Sequence, residues 1–169
     1  MEVDASNPVV VIDGRSGAGK STLARLLVDT WPLPGLVQLV ALDSIYPGWD
    51  GLSEGAEVAR RDILMPHARD TIGVWRRHDW ETGESAEAHA VDPSLPLIVE
   101  GSGVLTPESR RLCDIAVWVD APDTSRKRRA LDRDGDLFRP HWDRWAAQEA
   151  THLAVHRPHE NASLVVSLP

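Results

Sequence analysis

The chain is poor in several things, and each shortage removes a class of protein. Its 169 residues hold one cysteine, Cys113. No internal disulfide can form, which fits a reducing, cytoplasmic setting. No apolar run approaches the ~20 residues of a membrane span. The acidic, polar start MEVDASNP does not read as a signal peptide. Positive charge is in deficit: the formal net charge is −8, which argues against a broad nucleic-acid or anionic-membrane surface. An anionic ligand would have to be held by a local cluster of donors. Phe and Tyr occur once each, against seven Trp; those indoles serve either as core filler or as ligand platforms.

What remains is the composition of an ordinary globular protein, 42% hydrophobic and 26% charged, long enough for one domain over 1–169 and short for two. Repeats and low-complexity linkers are missing. The β-branched run PVVVID at 8–13 has the pattern of a strand buried on both faces. TLARLLVDTW follows as a helix with Leu23, Leu26 and Leu27 on one stripe, ended by Pro32 and Pro34. Further strands are expected at 36–42, 95–101, 114–122 and near the end at ASLVVS. Helices are expected at 56–72, with a break or kink at Pro66, at 106–112 with Thr106 as N-cap, and at 141–156. Residues 74–91 suit a hairpin or an irregular excursion, SRKRRALDRD a basic helical segment, and GDLFRP a loop. Strands alternating with helices imply an α/β domain with a mostly parallel sheet.

The chemistry begins at GRSGAGKS, Gly14 to Ser21, which matches G-x-x-x-x-G-K-[ST] between an expected strand and an expected helix. Glycines let the backbone curl around phosphate and point N–H groups inward. The candidate nucleotide-binding residues are Gly14, Ser16, Gly17, Ala18, Gly19, Lys20, Ser21 and Thr22. Lys20 reaches the outer phosphates, Ser21 offers a hydroxyl to Mg²⁺, and the helix adds its positive dipole end. Such a loop needs an acid at the end of a neighbouring buried strand. Asp43 and Glu100 both qualify: one would orient Mg²⁺ and the other would accept a proton from an attacking hydroxyl. Arg126, Lys127, Arg128, Arg129, Arg133 and Arg139 crowd one short segment of an otherwise acidic chain. Arginine forks stabilise a phosphoryl group in transfer, so Arg126, Arg129 and Arg133 are candidates.

The order of these landmarks resembles the uridine kinase group of P-loop kinases. Asp43-Ser44-Ile45-Tyr46 stands where that group has an Asp-Ser-Phe-Tyr type motif, and His78-Asp79-Trp80 where it has Tyr-Asp-Phe. Val99-Glu100-Gly101 resembles its Phe-Glu-Gly strand end. Val119-Asp120, then Arg128-Arg129 and Arg133-Asp134, resemble the stretch that leads into its lid. The resemblance implies a three-layer fold with a five-stranded sheet ordered 2-3-1-4-5, an arginine-rich lid at 126–140, and an acceptor-side excursion at 44–92. It implies ATP (or GTP) and Mg²⁺, with transfer of the γ-phosphoryl group to a small hydroxyl, most directly on a nucleoside such as uridine or cytidine. Asp43 would be the base, with Lys20, Arg129 and Arg133 as its catalytic companions. Tyr46, Trp49, Asp79, Trp80 and Glu100 would line the acceptor, and Ser21, Asp43 and Glu100 the metal. PGWDG after DSIY departs from the family, as do His78 and Trp80, so the substrate preference is expected to lie there.

Two rival functions remain at this level. A nucleoside monophosphate, sugar acid or antibiotic could be the acceptor. A second phosphate would then call on Arg60, Arg61, Arg69, Arg76 and Arg77. Alternatively the chain is a regulatory module that hydrolyses or senses NTP. His152, His156 and His159 do not make a zinc site by spacing and read as surface or half-buried. Trp142, Trp145 and Glu149 share a helix face that packs on the sheet.

Overall fold

A computed structural model describes residues 7–169, so the acidic stretch at 1–6 lies outside the described residues. β1 (Val9–Asp13) is buried along its whole length, as its unbroken apolar run requires. It lies at the centre of a five-stranded parallel sheet with β2 (Gln38–Ala41), β5 (Leu97–Glu100), β6 (Ile115–Asp120) and β7 (Leu164–Ser167), ordered β2-β5-β1-β6-β7. Numbered among themselves, these strands run 2-3-1-4-5, the order the resemblance implies. Because every pairing is parallel, the carboxyl ends that carry Asp13, Glu100 and Asp120 share one edge.

Successive strand residues point to opposite faces, and the core divides accordingly. Val10, Ile12, Ile98, Val117 and Val119 pack with α1 (Lys20–Asp29) through Ala24, Leu23 and Leu27. Leu26 falls off that stripe and is exposed, because a helix laid on one sheet face buries only the positions turned toward it. Val9, Val11, Val40, Leu97 and Val99 form the other face, with Ile63, Leu64, Leu105 and Trp145. Ile63 and Leu64 belong to a π turn (Ala59–Leu64) that joins α2 (Leu52–Val58) to α3 (Met65–His67), Leu105 to the loop before α4 (Pro107–Arg110), and Trp145 to α6 (Trp142–His156).

The irregularity expected at Pro66 takes the form of that π turn. Proline has no N–H for the carbonyl four residues back, and the helix widens just before it. β3 (Gly73–His78) and β4 (Ser85–Val91) form an antiparallel hairpin separate from the main sheet. Thr106 caps α4 by accepting from the N–H of Ser109. GDLFRP is not a loop: its first four residues lie within α5 (Asp123–Phe138), and Arg139 and Pro140 lie in the 3-10 turn Arg139–His141. Gly135 takes the non-helical φ 54° and ψ −132° inside that span, so two helical pieces meet there at a kink. A short α7 (Pro158–Asn161) leads into β7. No helix among the described residues is long and apolar enough to cross a membrane.

Candidate active site

The Gly14–Ser21 loop joins β1 to α1. At Gly17, φ is +75° and a Cβ would lie 2.0 Å from the carbonyl oxygen of Arg126, so the loop can touch α5 only with glycine there. Gly19 caps α1 in the left-handed region with no side-chain acceptor over the helix N–H groups. Those N–H groups are free to meet an anion. Ala18 closes the turn, its N–H donating to the Arg15 carbonyl at 3.0 Å. Lys20 is buried, and its Nζ lies 3.2 Å from Ser102 Oγ and 3.3 Å from the carbonyl of Arg15. Thr22 is exposed on the first turn of α1.

Ser21 Oγ donates to Glu100 Oε1 at 2.8 Å. Glu100 is 4% exposed, and burial raises its pKa, opposed by the Lys20 charge and the Ser21 hydrogen bond. Asp43 and Arg133 also act on it electrostatically. Asp43 follows β2 in a 3-10 turn (Leu42–Ser44), is exposed, and has Arg133 Nη2 4.0 Å from its carboxylate. The fold therefore gathers Lys20, Ser21, Glu100, Asp43 and Arg133 at one sheet edge. A hydroxyl and two carboxylates are hard oxygen donors, few enough to leave places for phosphate oxygens and water, which suits Mg²⁺.

Other expected site residues go elsewhere. Tyr46 is 1% exposed and does not reach the cleft: its OH donates to the Ser102 carbonyl at 2.8 Å and its ring packs edge-on to Trp145. Burial pushes its pKa well up, helped by Asp43, Asp13, Glu100 and Glu149. Asp79 Oδ1 accepts from the N–H groups of Glu81 and Thr82 at 2.9 and 3.3 Å, so it caps the hairpin turn. These bonds hold its pKa below the usual value. Trp75 stacks on His89 across the hairpin. Arg129 turns aside, donating to the carbonyls of Pro169 and Ser125. Arg126 is buried against the loop, donating to the Ser16 carbonyl at 3.0 Å and to Asp123.

PGWDG also makes packing contacts that its own sequence does not announce. The Trp49 ring stacks on Phe138 and His141, at 5.4 and 4.4 Å, and meets Trp80 at 4.8 Å. Asp50 pairs with Arg144, and Gln148 donates to the Trp49 carbonyl and accepts from the N–H of Leu52. This stretch docks the end of α5 and the start of α6. Trp80, whose Nε1 donates to the Asp43 carbonyl at 2.8 Å, is the aromatic that stays beside the acid.

Four groups escaped notice or were misplaced from sequence. Asp13 accepts from the N–H groups of Gly14, Gly103 and Leu105 and lies 3.0 Å from His152 Nε2. His152 is 7% exposed, not a surface residue, because this buried carboxylate gives its ring a partner. Glu149 accepts from the Ser16 N–H, Ser102 Oγ and Trp145 Nε1. The only sequence signals were an acid closing the PVVVID run and a polar residue on an apolar helix face; Ser102 had none. A cavity of about 510 Å³ lies away from Asp43, lined by Leu52, Arg60, Thr106, Gln148 and His152.

No protein-family model and no curated protein matches this sequence. Solved structures do match it. A possible uridine kinase from Bacillus stearothermophilus superposes with a TM-score of 0.70 at 21% identity, over 98% of this chain and 91% of its own. A protein provisionally called a fructose transport system kinase, from Silicibacter sp. TM1040, gives 0.57 at 20% identity, over 100% and 93%. An uncharacterized protein from Eubacterium ventriosum gives 0.52 at 10% identity, over 96% and 88%. The likeness is one of fold: a five-stranded parallel sheet flanked by helices, with the Gly14–Ser21 loop at its carboxyl edge.

Proposed function

We propose that the chain is a Mg²⁺-dependent phosphotransferase that moves the γ-phosphoryl group of ATP to the hydroxyl of an uncharged small molecule, with a nucleoside as the first candidate. The observation that carries this reading is the Ser21–Glu100 hydrogen bond of 2.8 Å, with Asp43 and Arg133 at the same sheet edge. In this account the loop N–H groups and Lys20 hold the phosphates. Ser21 and Glu100 hold the metal directly or through its water shell, with Asp43 at its margin; a bound Mg²⁺ would neutralise phosphate charge. Asp43 orients the acceptor hydroxyl and takes its proton, and Arg133 stabilises the charge on the group in transfer.

The arginines bear on the acceptor class. A phosphorylated acceptor needs free cations beside Asp43. Arg60 is paired with Glu57, Arg61 with Asp62, and Arg77 with Glu87, while Arg76 donates to the Ala86 carbonyl. Those four are committed within their own helix or hairpin, which favours an acceptor without phosphate; Arg69, in the turn after α3, has no side-chain ion pair among the described residues. The half-exposed Trp80 indole beside Asp43 suits a planar base or a sugar face. The test is ADP release with ATP and Mg²⁺ across nucleosides, nucleotides and sugars. Release dependent on a nucleoside or sugar supports the reading. Slow ADP release indifferent to every metabolite would overturn it.

A further inference from the structure

The phosphate loop already carries an anion from its own chain. Glu149 lies on α6, 3% exposed, and its Oε1 accepts from three donors: the Ser16 N–H at 2.6 Å, Ser102 Oγ at 3.1 Å and Trp145 Nε1 at 3.1 Å. Ser102 Oγ is also one of the two hydrogen-bond contacts of Lys20 Nζ, at 3.2 Å. Lys20, Ser102, Glu149 and Ser16 thus form an open relay of contacts along the loop, with the Gly14 carbonyl at 3.0 Å as the other acceptor for Ser102 Oγ. On the other side of the same residue, the Ser16 carbonyl accepts from buried Arg126. The third position of the loop is clamped between an acid on α6 and a cation on α5.

A buried carboxylate in such a place is costly unless it is well bonded, and here it draws on the groups that phosphate needs. Resting on the kinase reading, we infer that Glu149 is a positioning residue that serves as an internal counter-anion of the loop, holding Ser16 directly and Lys20 through Ser102, and so competes with nucleotide. Glutamine would keep an oxygen for Ser16 and Trp145 while removing the charge. The relay also reaches the acceptor side: Gln148, next in sequence, holds the Trp49 carbonyl and the Leu52 N–H.

The experiment is calorimetric binding of a non-hydrolysable ATP analogue with Mg²⁺ to wild type, Glu149→Gln, Ser102→Ala and the double variant, with a melting curve for each. Each single variant is expected to lower Kd about fivefold, the size of one partly screened charge interaction. The double variant should gain little more, because both changes break one relay. A purely structural Glu149 would move the melting temperature and leave Kd alone. Unchanged Kd, weaker binding by Glu149→Gln, or fully additive gains would overturn the inference while leaving the kinase reading intact. Failure of wild type to bind any nucleotide would overturn both.

Discussion

The hydroxyl of Ser21 hydrogen-bonds Glu100 at 2.8 Å, tying the first turn of α1 to the end of β5. Glu100 has a folded-state pKa above its ordinary value, because desolvation outweighs Lys20 and Ser21. The ionised form therefore weakens the empty fold. Its contribution is most favourable below the ordinary carboxyl pKa and is lost as pH rises through the raised, folded-state value. Glu100→Gln, which keeps an acceptor for Ser21, should be more stable than wild type without metal, by about 1 kcal/mol at pH 8. The gap should close as pH falls through the raised pKa. The same variant should lose Mg²⁺-dependent ADP formation. Melting curves at several pH values check the first part; a gap that widens in acid would contradict it.

Trp49 joins the loop after β2 to the end of α5 by stacking on Phe138 and His141. Trp49→Ala should cost about 2 kcal/mol of stability, less than a fully buried Trp because the ring is half-buried. It should also loosen α5 and α6, making their amides exchange with deuterium faster than those of β1. Denaturant unfolding and hydrogen exchange check both statements.

Gly17 offers a sharper test of how the loop meets α5. With φ +75° and Arg126 O only 2.0 Å from the Cβ site, Gly17→Ala should force loop and helix apart. The expected loss is about 3 kcal/mol, with nucleotide affinity falling more than about tenfold. A well-folded variant with unchanged affinity would show that the loop does not hold phosphate.

Local patterns carried much of this molecule. The PVVVID run, the glycine spacing of 14–19 and the acids at strand ends placed β1, the loop and Glu100 correctly, because these signals lie within a few residues. The docking of PGWDG was invisible, since its partners are Phe138, His141, Arg144 and Gln148, about ninety residues on. Tyr46 read as a ligand contact because its motif places it beside Asp43. Its burial depends on Trp145 and on the Ser102 carbonyl, which the motif does not contain. The arginine run marked the segment that forms α5 without ranking its members. Arg126 and Arg133, two helical turns apart, meet Ser16 and Asp43, while Arg129 turns to Pro169.

The central claim is that Asp43 activates an acceptor hydroxyl above a nucleotide held by the loop. Asp43→Asn separates those two functions, since the side chain is exposed and its loss disturbs no core. Acceptor-dependent ADP formation should fall about a thousandfold, with the Kd for the non-hydrolysable ATP analogue within about twofold of wild type. Transfer at the wild-type rate by Asp43→Asn would contradict the account.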